Sequence, residues 1–574
     1  MPYLLPVARK EMGKVLRGAM LKYTPDEFSN YVILSSIVFS AGGVFVQRFL
    51  SFPFHNLFWP LSFFTLGYVL ALAYPFTKMR GRRAQIDLKL PHALTYMQSM
   101  SESIPLYEIV KKVVVEKELY GEVSEEFSFV VRDVELLGMS IVEAMNKLAQ
   151  ETPSENLREL LEGLVITFET GGSLREFFSS KSLQFRERAN KRLEVHLKTL
   201  EILAEVFVVV FVALPIFLII MISSMNLLGK SAGPELYYTM YLFLPIGALS
   251  LIYVIDLMNV KEDLGLTRVE RKRFNYSPDL LMEGAEIEDV SEKMALSNIL
   301  TAPFVAVKRN YYNSLYFSTL LAVLALFAVR GVRFVFPETI FAVTIAVFCI
   351  PLLVAFEYRA WYVRRVEKEI PDLLRQMLSL KDVGMTLQNV IDVIKDSKIG
   401  VLKRELRILD AEIEWGATVV EAFIEFVNRV GVSSIRRVIS LIIEASQITE
   451  ELRDVLLISI EDFEHELKLK SDRFVTGFAY LVVVYVSFFT FLYVGYSLNT
   501  SFLASFSNFN VSVDVRSSSE IMYRVSIMLA IFSGILAGQL EKGHILSGLK
   551  HLFVFLLSTI ILFEFILGGG WCGF

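Results

Sequence analysis

One arrangement occurs twice in this chain, and it restricts the possible folds more than any other feature. Two hydrophobic spans lead into a long charged stretch patterned for helices, and that stretch runs directly into a third span. The unit occupies 30–256 and returns at 315–540. Local echoes mark the register. Leu90-Pro91 opens the first polar block and Ile370-Pro371 the second. Gly138-Met139-Ser140-Ile141-Val142-Glu143-Ala144 returns as Gly416-Ala417-Thr418-Val419-Val420-Glu421-Ala422. Tandem repetition is the mark of an architecture built from like units. A duplicated membrane element with large water-facing domains points to a scaffold before it points to a catalyst.

Composition agrees. Of 574 residues 54% are hydrophobic, above the roughly 45–50% of soluble domains, and the mean hydropathy is +0.49. Yet 21% are charged, so the chain is no purely intramembrane bundle. The net charge of −5 implies little about partners. Of the two cysteines, Cys349 lies in an apolar span and Cys572 almost at the C-terminus, which argues against a disulfide framework. The first apolar run starts near Tyr31, behind Arg9, Lys10, Lys14, Arg17 and Lys22. It reads as an uncleaved anchor, not a cleaved signal peptide.

A bilayer core takes about 20 apolar residues per helix, and about nine stretches qualify: near 31–49, 58–76, 203–224, 238–256, 315–330, 339–357, 474–496, 521–539 and 550–568. Helices are the expected form, because lipid cannot satisfy an open backbone. Lys and Arg set the orientation. Lys78, Arg80, Arg82, Arg83, Arg186, Arg188, Lys191 and Arg192 flank the first polar block. Arg359, Arg364, Arg365, Lys468, Lys470 and Arg473 flank the second. The N-terminus and both blocks are therefore expected in the cytoplasm and the C-terminus outside, in the cell membrane. Each repeat begins and ends in the cytoplasm, so the repeats are parallel, unlike the inverted halves of many transporters. The outer loop near 498–520 holds two glycosylation sequons, Asn499-Thr500-Ser501 and Asn510-Val511-Ser512.

The expected fold is thus all-α and polytopic. Its segments are 1–29 (N-terminal, cytoplasmic), 30–77 (spans one and two), 78–202 (first bundle), 203–256 (spans three and four), 257–314 (linker), 315–357 (spans five and six), 358–473 (second bundle) and 474–574 (spans seven to nine). In the first bundle Val123, Phe127, Val130 and Val134 share one helical face. Helix starts are expected at Thr24, Ser140, Thr152, Ser173 and Thr418, each followed three residues later by Glu. The last helix of each bundle is expected to continue unbroken into the membrane, because proline is absent from Leu174 to Leu214 and from Leu452 into span seven.

Both bundles are rich in acids. These are solvated helix faces of the kind heat-adapted proteins carry, or docking surfaces for a basic cytoplasmic partner. On the second reading the docking residues are Glu122, Glu125, Glu126, Asp133, Glu135, Asp410, Glu412 and Glu414. Within the membrane, Arg524 of span eight and Glu564 of span nine both fall about 6–8 Å below the outer boundary at about 1.5 Å per residue. They form an ion pair if the two spans are neighbours. The alternative is a snorkelling Arg524 with a wet or protonated Glu564.

No catalytic constellation emerges. Gly229-Lys230-Ser231 ends like a phosphate loop, but Ser224 stands where the leading glycine belongs. His55, His92, His196, His465, His544 and His551 lack metal-ligand spacing. Basic residues cluster at membrane edges, so nucleic acid has no support as a partner.

Four stretches carry a family resemblance: Ile86-Asp87-Leu88-Lys89-Leu90-Pro91-His92-Ala93-Leu94-Thr95-Tyr96-Met97, Tyr120-Gly121-Glu122-Val123-Ser124, Thr152-Pro153-Ser154, and Glu169-Thr170-Gly171-Gly172-Ser173-Leu174. With the duplicated layout, they resemble the F domain of type II secretion systems in its archaeal form. The second block departs, with Glu444-Ala445-Ser446-Gln447 where the Gly-Gly turn would be. The resemblance implies a non-enzymatic platform of a type IV pilus-like machine, including the archaellum, with no cofactor and no small-molecule substrate. Its implied partners are a hexameric cytoplasmic secretion ATPase and pilin or archaellin subunits. A homodimer would present four bundles to such a hexamer. The competing expectation is a transporter or channel with regulatory bundles, against which the apolar midplanes argue.

Overall fold

The computed structural model describes residues 6–50, 58–227, 236, 240–241, 244–258, 313–329, 336–397, 400–448, 452–502 and 515–567. Among these residues there is no strand; the chain is all-α. The helices are α1 (Pro6–Gly18), α2 (Pro25–Leu50), α3 (Phe58–Met100), α4 (Leu106–Val115), α5 (Lys117–Tyr120), α6 (Glu122–Leu137), α7 (Ile141–Glu151), α8 (Glu155–Glu169), α9 (Leu174–Phe207), α10 (Leu214–Leu227), α11 (Leu244–Met258), α12 (Ser314–Val329), α13 (Glu338–Asp382), α14 (Leu387–Ile394), α15 (Leu402–Glu414), α16 (Val419–Val430), α17 (Ser433–Ile448), α18 (Arg453–Ser497), α19 (Val515–Lys542) and α20 (Leu549–Ile560).

Among the described residues five stretches are long and apolar enough to cross a bilayer: Leu174–Met225, Glu338–Asp382, Arg453–Thr500, Ser519–Lys542 and Ile545–Leu567. They contain the third, sixth, seventh, eighth and ninth expected spans. The fourth and fifth fall on the shorter apolar helices α11 and α12. The first falls on α2 and the second on the first half of α3. Most of the 257–314 linker lies outside the described residues, as do Gly229-Lys230-Ser231, Asn510 and Cys572.

With 45 residues apiece, α13 and α18 are about 67 Å long, far more than a 30 Å hydrocarbon core needs. Each therefore divides into an apolar part and a part that joins a bundle. The same holds for α3, and this corrects the expected openings at Leu90-Pro91 and Ile370-Pro371: Pro91 and Pro371 both lie inside unbroken helices. The helix that leaves the first bundle is continuous too, through a wide π-helical turn at Val208–Ala213 just before Pro215. Such a turn absorbs the proline's missing N–H without ending the rod.

The chain divides into two compact units, one of 1–189 with 440–462 and one of 190–439 with 463–574. The core of the first unit is apolar and interdigitated: Leu90 and Leu94 of α3, Ile109 of α4, Phe127 of α6, Leu148 of α7, Leu161 of α8 and Phe178 of α9 are all buried. Val123, Phe127 and Val130 lie on the buried face, as their spacing predicts. Capping boxes close at Thr24 with Glu27 and at Ser140 with Glu143. Ser173 accepts from the Glu176 N–H at 3.3 Å. Thr152 does not start a helix. It ends α7, and Ser154 caps α8 by accepting from the Leu157 N–H at 3.1 Å. The Thr-Pro-Ser run thus separates two helices.

In the second unit Thr418 with Glu421 makes the matching box. The membrane portion packs Phe488, Phe491, Tyr523, Phe555 and Phe563 together. α19 and α20 meet at glycines: a Cβ on Gly538 would lie 2.0 Å from the Gly548 nitrogen. Only small residues permit helix backbones so close. At the other end of α19 Asn499 is buried, donating to Gly495 O at 3.1 Å and accepting from the Ser519 hydroxyl at 2.7 Å. Its side chain is spent within the fold.

Candidate functional site

The eight acids expected to dock a partner have other occupations. In the first bundle Arg82 of α3 is buried and holds three groups. Its Nε donates to Glu122 at 2.7 Å, Nη2 to Glu126 at 2.7 Å and Nη1 to the Gly18 carbonyl at 2.6 Å. Glu126 is buried with it, and burial pushes its carboxyl above the usual range despite the guanidinium beside it. Asp133 is also buried. Lys147 and Arg132 both reach it at 2.7 Å and hold its carboxyl below the ordinary aspartate range. Glu125 pairs with Lys117. Glu135 accepts from Lys111 at 2.7 Å and Tyr107 at 2.8 Å.

The second bundle repeats the pattern. Asp410 is buried against Lys395 at 2.6 Å. Glu412 accepts from Arg429 at 2.5 Å, and Glu414 stands 3.7 Å from Lys395. Glu126, Asp133 and Asp410 are therefore not docking surface. They are internal ties whose charge is neutralised where it stands. Helical angle carries the signal for this. At 100° per residue, Glu126 and Asp133 fall about 60° and 80° from Val123, on the flank of the buried face, whereas Glu135 and Glu125 fall about 120° and 160° away. Of the eight, Glu135 and Glu414 are the exposed ones.

Those two flank a feature that charge patterning did not reveal. Beside Glu135, Leu136 is 77% and Leu137 60% exposed; beside Glu414, Trp415 is 91% exposed. Each apolar tip precedes a glycine with positive φ, 66° at Gly138 and 97° at Gly416, and then the matched capping box. The two turns are equivalent positions of the repeat.

Segment 440–462 forms part of the first unit and makes ionic contacts within it. Glu444 takes the Tyr96 hydroxyl and lies 3.5 Å from Lys112. Burial, then Glu444, pushes the Tyr96 phenol well above its ordinary range. Arg175 bridges Glu102 at 2.5 Å and Asp454 at 2.6 Å. Asp462 takes His92 at 3.1 Å and Arg186 at 3.3 Å. Glu444 lies within α17, which runs on to Ile448. Glu444-Ala445-Ser446-Gln447, which stands where the first block has its Gly-Gly turn, is therefore part of a helix, and Glu444 faces the first bundle.

Within the membrane portion α19 and α20 are neighbours, yet Arg524 and Glu564 take different partners. Arg524 pairs with Glu338 at 2.7 Å. Glu564 accepts from the Phe336 N–H at 3.1 Å and from the Thr339 hydroxyl, and Tyr523 bonds Thr339 at 2.8 Å. The start of α13 comes between the two charges. Its unpaired N–H groups and dipole attract the carboxylate, which the sequence separation concealed. A second cluster gathers at the other end of these helices. Glu357 accepts from Lys542 at 2.7 Å; Glu541 accepts from Lys550 at 2.6 Å and meets His551 Nε2 at 2.9 Å; Tyr485 meets His551 Nδ1 at 2.8 Å. Among the described residues no group of acids, histidines and cysteines has the geometry to hold a metal.

The type II secretion system protein F family matches the chain twice, at 93–222 and 373–498. An uncharacterized protein of Methanocaldococcus jannaschii is 23% identical over 516 residues, 87% of this chain and 83% of that one. The flagella accessory protein J of the same organism is 27% identical over 110 residues, 19% of this chain and 20% of that one. No solved structure matches the chain. Proteins of the matched family are the membrane platforms of type II secretion and type IV pilus systems. The chain thus carries the type II secretion system protein F domain in two copies.

Proposed function

We propose that the chain is the non-enzymatic platform of an archaeal type IV pilus-like machine, pilus or archaellum, and that it couples a hexameric cytoplasmic ATPase to the assembly of pilin subunits. One observation carries the reading: in each copy of the F domain the last helix runs on as a span, from Leu174 to Met225 and from Arg453 to Thr500. A rod hydrogen-bonded along its length passes a displacement of the bundle to the membrane with little loss. In this reading nine spans carry two parallel repeats, with the N-terminus and the bundles of 78–202 and 358–473 in the cytoplasm and the C-terminus outside. Two copies of the chain face one hexamer. The ATPase docks on the matched turns, where Glu135 with Leu136 and Leu137, and Glu414 with Trp415, remain exposed.

The test uses the full-length chain in nanodiscs with a cytoplasmic secretion ATPase from the same organism. Co-elution and stimulated hydrolysis are expected, and the variant Leu136→Ser, Leu137→Ser, Trp415→Ala should weaken binding tenfold or more, about 1.4 kcal/mol. Nucleotide hydrolysis by the chain alone, or labelling that puts either bundle outside the cell, would sink the proposal.

A further inference from the structure

We propose that Tyr358, Trp361 and Arg365 of α13 form a binding site for the phosphate of an anionic phospholipid headgroup. The three stand at i, i+3 and i+7, on one face of the helix. Tyr358 is 45% and Trp361 47% exposed, and Arg365 is exposed beside them. The two rings lie 6.2 Å apart between centroids, and the Arg365 guanidinium sits 5.7 Å from the centre of the Trp361 ring. Stacking orients a guanidinium while leaving its N–H donors unspent. Among the described residues Arg365 makes no ion pair. The neighbouring face behaves differently: Glu357 is held by Lys542 at 2.7 Å and Lys550 at 3.5 Å, and Arg364 lies 3.6 Å from it. One face of α13 neutralises itself, and the next presents a stacked cation to whatever lies outside.

Position sets the ligand class. The apolar part of α13 ends near Glu357. Tyr and Trp one turn past the end of a span settle at headgroup level. Arg365 is four residues beyond Trp361, about 6 Å farther along the axis, at the depth of the phosphates. A guanidinium offers paired N–H donors that match two phosphate oxygens. The feature belongs to the second copy. Aligning Pro91 with Pro371 puts Lys78, Gly81 and Gln85 of α3 at the same positions, with no ring and no guanidinium.

The same phosphate chemistry is offered by free inorganic phosphate, and the experiment separates the two. Full-length protein with Trp59, Trp415 and Trp571 replaced by Phe keeps Trp361 as its sole indole. It is placed in nanodiscs holding brominated phosphatidylglycerol or brominated phosphatidylcholine at equal mole fraction. Quenching of Trp361 should report about a fivefold preference for phosphatidylglycerol. Arg365→Gln should remove the preference while leaving quenching by phosphatidylcholine unchanged, and Arg365→Lys should retain part of it. Equal quenching by the two lipids, or a preference that survives Arg365→Gln, overturns the proposal. So does a preference abolished by millimolar inorganic phosphate, which would assign the site to the free ion.

Discussion

The two F-domain copies share a skeleton and differ in their electrostatic ties. Asp87 of α3 accepts from the Ser154 hydroxyl at 2.5 Å at the start of α8. Glu367 of α13 accepts from Ser434 at 2.7 Å at the start of α17. Aligning Pro91 with Pro371 superimposes the two acids, and each reaches a serine near the start of the corresponding helix, Ser154 as the cap of α8 and Ser434 as the second residue of α17. The cations diverge. Asp87 has Arg83 on its own helix, 4.0 Å away, whereas Glu367 takes Lys470 of α18 at 2.8 Å. The first copy also buries Arg82, and Tyr362 stands at that position in the second. Apolar faces and helix caps tolerate divergence as long as their spacing is kept. Ion pairs need both partners, so each copy has settled on its own set.

The sharpest way to break this comparison is at Arg82. Arg82→Ala leaves Glu126 buried without its cation and should cost about 3–5 kcal/mol. Hydrogen exchange should show the loss in the first bundle only, and pairing it with Glu126→Leu should recover much of it. Equal loosening of both bundles would mean that the copies are not independent. Next come the matched contacts. Asp87→Ala and Glu367→Ala should each cost about 1–3 kcal/mol, the second more, because Lys470 loses a carboxylate at 2.8 Å and keeps only Glu466, whereas Arg83 loses one at 4.0 Å. Thermal melts of the two single variants check the order.

The third test is pH. Asp133 titrates below its unfolded range, so its contribution is present above about pH 4 and is lost as pH falls through the depressed folded value. Acid should therefore loosen the first bundle, and Asp133→Asn should flatten that dependence. An unchanged acid transition would rule out Asp133 as its source. In the membrane portion, Glu564→Gln should lower the melting temperature slightly, about 1 kcal/mol. Arg524→Gln should not rescue it, since the two charges have separate partners; rescue would restore the direct pair. The smallest effect is expected at Arg175→Glu, an exposed pair with Asp454 worth less than about 1 kcal/mol, seen as faster exchange around 452–462.

Much of this was legible beforehand. The repeat, the apolar stretches and the capping boxes at Ser140 and Thr418 depend on residues close in sequence, and local pattern reports them faithfully. The misses share a cause. Thr152 resembles a helix start because Thr-Pro-x-Glu is a valid cap, but Ser154 lies nearer the helix and takes the role. Leu90-Pro91 resembles an opening because proline usually interrupts, yet α3 carries it through. The eight acids looked alike in composition, and only helical angle separates the buried from the exposed.

Residue order alone was enough for the number of domain copies, the placing of the long apolar stretches, and the family. These rest on periodicity and hydropathy, which neighbouring residues set together. Tertiary structure decided where each charge is spent: Arg82 on Glu126, Glu564 on the start of α13, Glu444 on Tyr96. Partners 44, 225 and 348 residues apart meet only when helices pack, and a carboxylate's surroundings, not its identity, determine whether it ties a core together or greets a partner.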